Sequence, residues 1–141
     1  MKRIHINVGV ADIGRSVEFY RTLFGVEPAV HKDDYAKWML DDPRVNFSIN
    51  LTESHRGLDH VGVQAETEEE LAEIQTRLAA AEAATYEQPT AECCYASSTK
   101  TWVRDPDDVT WETFVTHGQI ESYGADRHVP GTEETATSCC R

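Results

Sequence analysis

The chain carries the same arrangement twice, and this repeat limits its fold more than any other feature. One fixed offset takes His5 onto His60, Asp12 onto Thr67, and Leu23 onto Leu78. The ends of the two copies also match, with "DPRVNFS" at 42–48 answering "DPDDVTWE" at 105–112. Self-similarity at this length marks a duplicated supersecondary unit whose copies share a core.

Each copy reads as strand, helix, then further short strands. In "RIHINVGVADIGRSVEFYRTLFG", Ile4, Ile6, Val8 and Val10 alternate, as in a half-buried strand. Asp12 caps a helix with Ile13, Val17, Tyr20 and Phe24 at helical spacing, and Gly25 ends it. Short apolar stretches at 35–40 and 45–51 flank the turn signal "DDPR". The second copy alternates through Val61, Val63 and Ala65. A Thr67–Glu70 capping box follows, then a stripe of Leu71, Ile74 and Leu78. Strands are predicted over 93–97, 101–104 and 109–115, with "EQPTAE" before them as a loop. The fold class is α+β, with two βαβββ modules (1–54 and 55–116) forming one curved mixed sheet around a cavity. Residues 117–141 are polar and read as a loosely held tail.

Thirteen basic against twenty-five acidic residues give a net charge of −12. Such a surface repels phosphate backbones and argues against nucleic acids and anionic membranes as partners. No apolar run is long enough to span a bilayer, and "MKRIH" is not followed by a signal-peptide core, so the expected location is the cytoplasm. There, cysteines serve metal binding or chemistry more often than structural bridges.

The offset that pairs His5 with His60 has a chemical consequence. On its strand each histidine points away from the apolar residues that face the helix, so both project onto the other face of the sheet. Glu112, flanked by Trp111 and Thr113, projects with them. A lone histidine or glutamate on a strand is ordinarily just a satisfied or solvated polar group. Symmetric placement of the two histidines favours a metal site instead. Two histidines and a carboxylate make the facial triad of non-haem Fe(II) oxygenases, and the same set suits Mn(II), Co(II), Ni(II) or Zn(II). His31, His55, His117 and His128 fall in predicted loops or the tail.

"HINVGVADIGRSVEFYRTLFG", "LDHVGV" and "DPDDVTWETF" resemble the vicinal oxygen chelate superfamily of glyoxalase I, extradiol dioxygenases and bleomycin-resistance proteins. The likeness spans about residues 3 to 116. It implies that fold, metal ligands at His5, His60 and Glu112, and a homodimer. A fourth ligand place falls on Ser48, where glyoxalase I carries a carboxylate. The serine points to three ligands and open coordination.

Two cysteines stand side by side in "AECCYA". Adjacent cysteines seldom bridge to each other, because the ring they close is strained. The run "AECCYASSTKTWVRDPDDVTWETF" with "DYAKWMLDDPRVNFSI" is similar to the ArsI/CadI group of organoarsenical C–As lyases and cadmium-inducible proteins. That resemblance implies a substrate-binding thiol pair at Cys93 and Cys94. It also implies O2-dependent oxidative cleavage of the carbon–arsenic bond of a trivalent organoarsenical such as methylarsenite, releasing arsenite, with Fe(II) as cofactor. The chemistry agrees, since trivalent arsenic is thiophilic and a vicinal dithiol chelates it with little added ordering cost. In a strand neighbouring side chains diverge, so the pair must sit in a turn or an irregular stretch. Tyr95 and Lys100 are candidate cavity residues, and the terminal pair Cys139–Cys140 a candidate accessory capture site. The alternatives are a non-catalytic Cd(II)/As(III)-binding resistance protein and a glyoxalase- or extradiol-dioxygenase-like enzyme of an organic substrate.

Overall fold

The computed structural model describes residues 1–121 and residue 124. Module one is β1 (Arg3–Val10), α1 (Ile13–Phe24), β2 (Val30–His31), β3 (Tyr35–Asp41) and β4 (Arg44–Leu51). Module two repeats the order with β5 (Gly57–Ala65), α2 (Glu68–Ala80), β6 (Thr85–Cys93), β7 (Ala96–Arg104) and β8 (Thr110–Gln119). The ten strands and helices are thus the two expected βαβββ units.

All eight strands form one sheet in the order β2-β3-β4-β1-β5-β8-β7-β6. The first strands of the modules, β1 and β5, meet antiparallel at its centre. Each is flanked by the last strand of its own module in parallel, β1 by β4 and β5 by β8. The sheet curls into a half-barrel, which brings the β6–β7 turn to the segment before β3. The Tyr95 hydroxyl, in the β6–β7 turn, donates to Asp34 Oδ1 beside β3 at 2.7 Å.

Sequence patterning explains which face is which. Asp12 Oδ1 accepts from the Arg15 backbone N–H at 2.9 Å and starts α1. Gly25 ends it at φ 71°, a left-handed cap that suits glycine. The helix lays Ile13 and Val17 on Val10, Ala36, Trp38, Phe47 and Ile49, with Tyr20 and Phe24 completing the cluster. Burying each such large side chain contributes about 1.5–3 kcal/mol. Module two packs a smaller cluster of Ala65, Leu71 and Val115 under α2. The opposite, concave face is polar yet buried, carrying His5, Asn7, Asn46, Ser48, His60, Lys100 and Glu112.

Three local expectations are corrected. "EQPTAE" is not a loop but most of β6, the sheet's edge strand. Pro89 is accommodated where the register shifts between Gln88 and Ala91. His31 lies on the short strand β2 and His117 on β8, where it reaches Thr99 Oγ1 at 2.8 Å. β8 continues to Gln119 because Gly118 and Gln119 still find partners in Ser97 and Ala96. His128, Cys139 and Cys140 lie outside the described residues.

Candidate metal and thiol site

The sheet register assembles the three candidate ligands. His5 faces Gly62 across β1–β5, and Gly62 faces Glu112 across β5–β8. His60 precedes Gly62 by two residues and shares its face. Glycine is required at position 62 by close approach rather than by backbone angle. A Cβ there would stand 2.3 Å from the Glu112 carbonyl oxygen.

The ligand atoms converge. His5 Nε2 and His60 Nε2 are 3.2 Å apart, and each lies 3.5 Å from Glu112 Oε2. One ligand atom from each residue fits within a 4.8 Å span, and all three side chains are buried. His5 Nδ1–H donates to the Asn46 carbonyl at 3.0 Å, which leaves the Nε2 lone pair facing the site. His60 Nδ1 stands 2.6 Å from Asp59 Oδ2, a carboxylate that fixes the ring the same way. Lys100 Nζ donates to Glu112 Oε1 at 2.5 Å, so Glu112 presents its other oxygen to the histidines.

The electrostatics suit a cation. Burial pushes the His5 imidazole down from 6.5 to about 4, despite the Glu112 charge. Burial acts in the same direction on His60, but its hydrogen bonds with Asp59 and Glu112 outweigh it and the net shift is upward. Burial also opposes charge on Glu112, yet Lys100 and the two histidines overcome it and hold the carboxyl well below its usual range. Two imidazole lone pairs and a carboxylate oxygen, pre-oriented by partners behind them, are the donor set of a divalent first-row metal.

Ser48 occupies the place in module one that Glu112 holds in module two. It is the cross-strand neighbour of Asn7, as Glu112 is of Gly62. Its hydroxyl accepts from Asn7 Nδ2 at 2.8 Å and adds no charge.

The cysteines line the same cavity, which is open to solvent on one side, spans about 490 Å³ with its mouth included, and is lined by His5, His60, Glu112, Lys100, Trp102 and Phe114 among others. Cys93 ends β6, and Cys94 and Tyr95 form a two-residue hairpin turn with φ of 56° and 61°. This left-handed pair is the turn that matches strand twist, at a cost of about 1–2 kcal/mol for each residue with a side chain. It swings Cys94 off the strand alternation and brings the two sulfurs to 3.0 Å. Cys93 is disulfide-bonded, and Cys94 is half-buried. Tyr95 turns its hydroxyl to Asp34, which pushes its pKa up to about 12.

Asp59, Gly62, Asn7 and Lys37 were not singled out by sequence. Only the acid directly before His60, in "LDHVGV", carried a signal that could have been read.

Comparison with known proteins identifies the family. The profile of the Glyoxalase/Bleomycin resistance protein/Dioxygenase superfamily matches residues 2–113. A Bacillus sp. (strain MD1) protein named trivalent organoarsenical cleaving enzyme is 40% identical over 124 residues, 86% of this chain and 77% of the relative. The cadmium-induced protein CadI of Mycobacterium bovis is 29% identical, covering 99% of this chain and 93% of its own. The Mn(II)-bound glyoxalase from Novosphingobium aromaticivorans shares the fold, with TM-score 0.59 and 16% identity, over 86% of this chain and 43% of that one. The chain belongs to the Glyoxalase/Bleomycin resistance protein/Dioxygenase superfamily.

Proposed function

We propose that this member of the superfamily cleaves the carbon–arsenic bond of trivalent organoarsenicals such as methylarsenite, as an Fe(II)-dependent dioxygenase. One observation carries the reading: a vicinal cysteine pair and a two-histidine, one-carboxylate cluster open onto a single small cavity. Neither set alone calls for the other, and an oxidative cleavage of a thiol-held arsenical needs both.

The residues divide the work. Cys93 and Cys94 take the arsenic as two As–S bonds, and the two hydroxyls of the arsenical leave as water. Capture by both sulfurs needs Cys93 as a thiol, so an external thiol reductant must first open its disulfide by thiol–disulfide exchange and be oxidised in its place. His5, His60 and Glu112 would hold the metal, with Asn46, Asp59 and Lys100 fixing their orientation. Iron in that site supplies the redox chemistry on dioxygen that a closed-shell ion such as Zn(II) does not. Trp102 and Phe114, whose rings stand 5.3 Å from His60 and His5, wall the cavity and exclude water.

The test uses reduced full-length protein prepared without oxygen, with stoichiometric Fe(II) and methylarsenite. Air is then admitted and arsenic species are separated by chromatography. Arsenite release that needs iron and oxygen, and disappears in Cys94→Ser and in Glu112→Ala, is the expected result. Tight binding of arsenic or Cd(II) without product would replace this reading with sequestration. Neither binding nor turnover would leave an enzyme of an organic substrate.

A further inference from the structure

We propose that Lys37 of module one is the cation that holds Cys94 as a thiolate, so that the thiol site is assembled from both halves of the sheet. The proposal rests on the reading that Cys94 is an arsenic ligand, and it names the residue that activates it.

Lys37 sits on β3, one alternation inward from Tyr35 and on the same face of the sheet. It is partly buried and lines the cavity together with Cys94. Among the described residues it has no hydrogen-bond or ion-pair partner, whereas the other cavity lysine, Lys100, is held by Glu112 at 2.5 Å. A partly desolvated ammonium with no carboxylate beside it favours an anion within reach.

The β6–β7 turn brings that anion. Tyr95 is fastened to the β3 end of module one by its 2.7 Å hydrogen bond to Asp34. Its ring lies 5.8 Å from the Tyr35 ring, and the Lys32 ammonium stands 5.4 Å from its centroid. These contacts seat Cys94, the residue before Tyr95, over the strand that carries Lys37. The charged and titratable groups around the turn are Lys32, Asp33 and Asp34 before β3, Lys37 on β3, and Glu92 and Tyr95 from β6 and the turn. His5, His60, Lys100 and Glu112 lie at the floor of the cavity. Asp34 is committed to Tyr95 and Glu112 to Lys100 and the histidines. Burial weakens the hold of Lys37 on its proton, and the attraction of Cys94 opposes that loss, so the two groups favour each other's charged forms. The thiolate is the form that attacks arsenic. Each As–S bond forms as the thiolate displaces a hydroxyl, which leaves as water with the proton the thiol gave up.

The test measures thiol reactivity and uses no arsenical. Full-length protein carrying Cys93→Ser, Cys139→Ser and Cys140→Ser keeps Cys94 as its single thiol. Its rate of alkylation by iodoacetamide is followed from pH 5 to 10 by mass spectrometry, in that background and with Lys37→Met, Lys37→Gln or Lys37→Arg added. Circular dichroism confirms that each chain is folded. The expected result is a rate at pH 7 that falls about tenfold in the two neutral variants, a profile displaced to higher pH, and recovery in Lys37→Arg. Profiles that coincide in folded Lys37→Met and Lys37→Gln would overturn the proposal, as would an arginine variant as slow as the neutral ones. Either failure leaves the arsenic reading intact, because that reading is decided by product release.

Discussion

The two modules share one topology and supply one site histidine each, His5 and His60, but they differ at the place where a second carboxylate could stand. In module two the β5–β8 row is Gly62 facing Glu112, and Glu112 is charged and gripped by Lys100. In module one the equivalent β1–β4 row is Asn7 facing Ser48, a neutral pair closed by its own hydrogen bond. The difference teaches that duplication supplied the frame and the two imidazoles. The carboxylate and the lysine that holds it both lie in module two. A cation held by a single carboxylate keeps coordination positions open, which is what a reaction at the metal needs. Module one instead contributes the docking ground for the cysteine turn.

The largest effect that sharpens this contrast is on metal binding. Glu112→Gln should abolish binding of Fe(II) or Mn(II) under anaerobic equilibrium dialysis, since it removes the one anionic ligand and the negative charge that the buried Lys100 ammonium faces. Ser48→Ala should leave metal affinity within about twofold, and should cost about 1–3 kcal/mol of stability because it leaves the buried Asn7 amide without its acceptor. Equal losses in both variants would show that Ser48 also ligates and that the halves are more alike than the register suggests.

The next effect is on packing. Gly62→Ala places a Cβ against the Glu112 backbone and should destabilise the fold by about 1–3 kcal/mol in urea titration, with loss of metal binding as β8 is pushed from β5. Asn7→Ala, at the matching place in module one, should cost about 1 kcal/mol and leave metal binding unchanged. A Gly62→Ala chain as stable as the parent would mean that the row is looser than its register implies.

Much of this was legible in the sequence, for physical reasons that can be named. Periodicity gave both helices and their caps, because Asp12, Thr67 and Gly25 act through local backbone bonds. The alternation around His5 and His60 gave the face they share, and the repeat brought them together. The DPRV/DPDDV match made Ser48 the module-one counterpart of Glu112, and the register agrees. What stayed hidden depends on long-range contact. Gly62 is needed because another strand comes close, which no local pattern records. Pro89 and its polar neighbours read as loop because an edge strand tolerates a bulge that composition cannot distinguish from a turn. Lys37 carries no local signal, because only the curl of the sheet puts Cys94 in the same cavity. The carboxylate behind His60 could have been read from "LDH", but its role appears only once Nδ1 is seen to face Asp59.

The smallest effect is the most diagnostic of the asymmetry, because the two histidines should answer pH with opposite signs. In the metal-free protein His5 titrates near 4, below the 6.5 of an unfolded chain. The unfolded state therefore binds the extra proton first, and stability should fall as pH drops from about 6.5 towards 4. His60 is shifted the other way, so the folded state binds its proton more tightly. Its contribution is complete below the unfolded value and should be lost as pH rises through the folded one. Urea titrations of the metal-free chain across pH 4 to 9 resolve the two limbs. His5→Gln should flatten the acid limb alone. Asp59→Asn removes a hydrogen bond that raises His60, and should flatten the alkaline limb alone. The same variant should weaken metal binding by about 10–100-fold, as the loss of an orienting carboxylate behind a ligand does. If Asp59→Asn instead altered the acid limb, the carboxylate would be acting on the whole cluster. The division between a neutral module-one imidazole and a proton-holding module-two imidazole would then have to be given up.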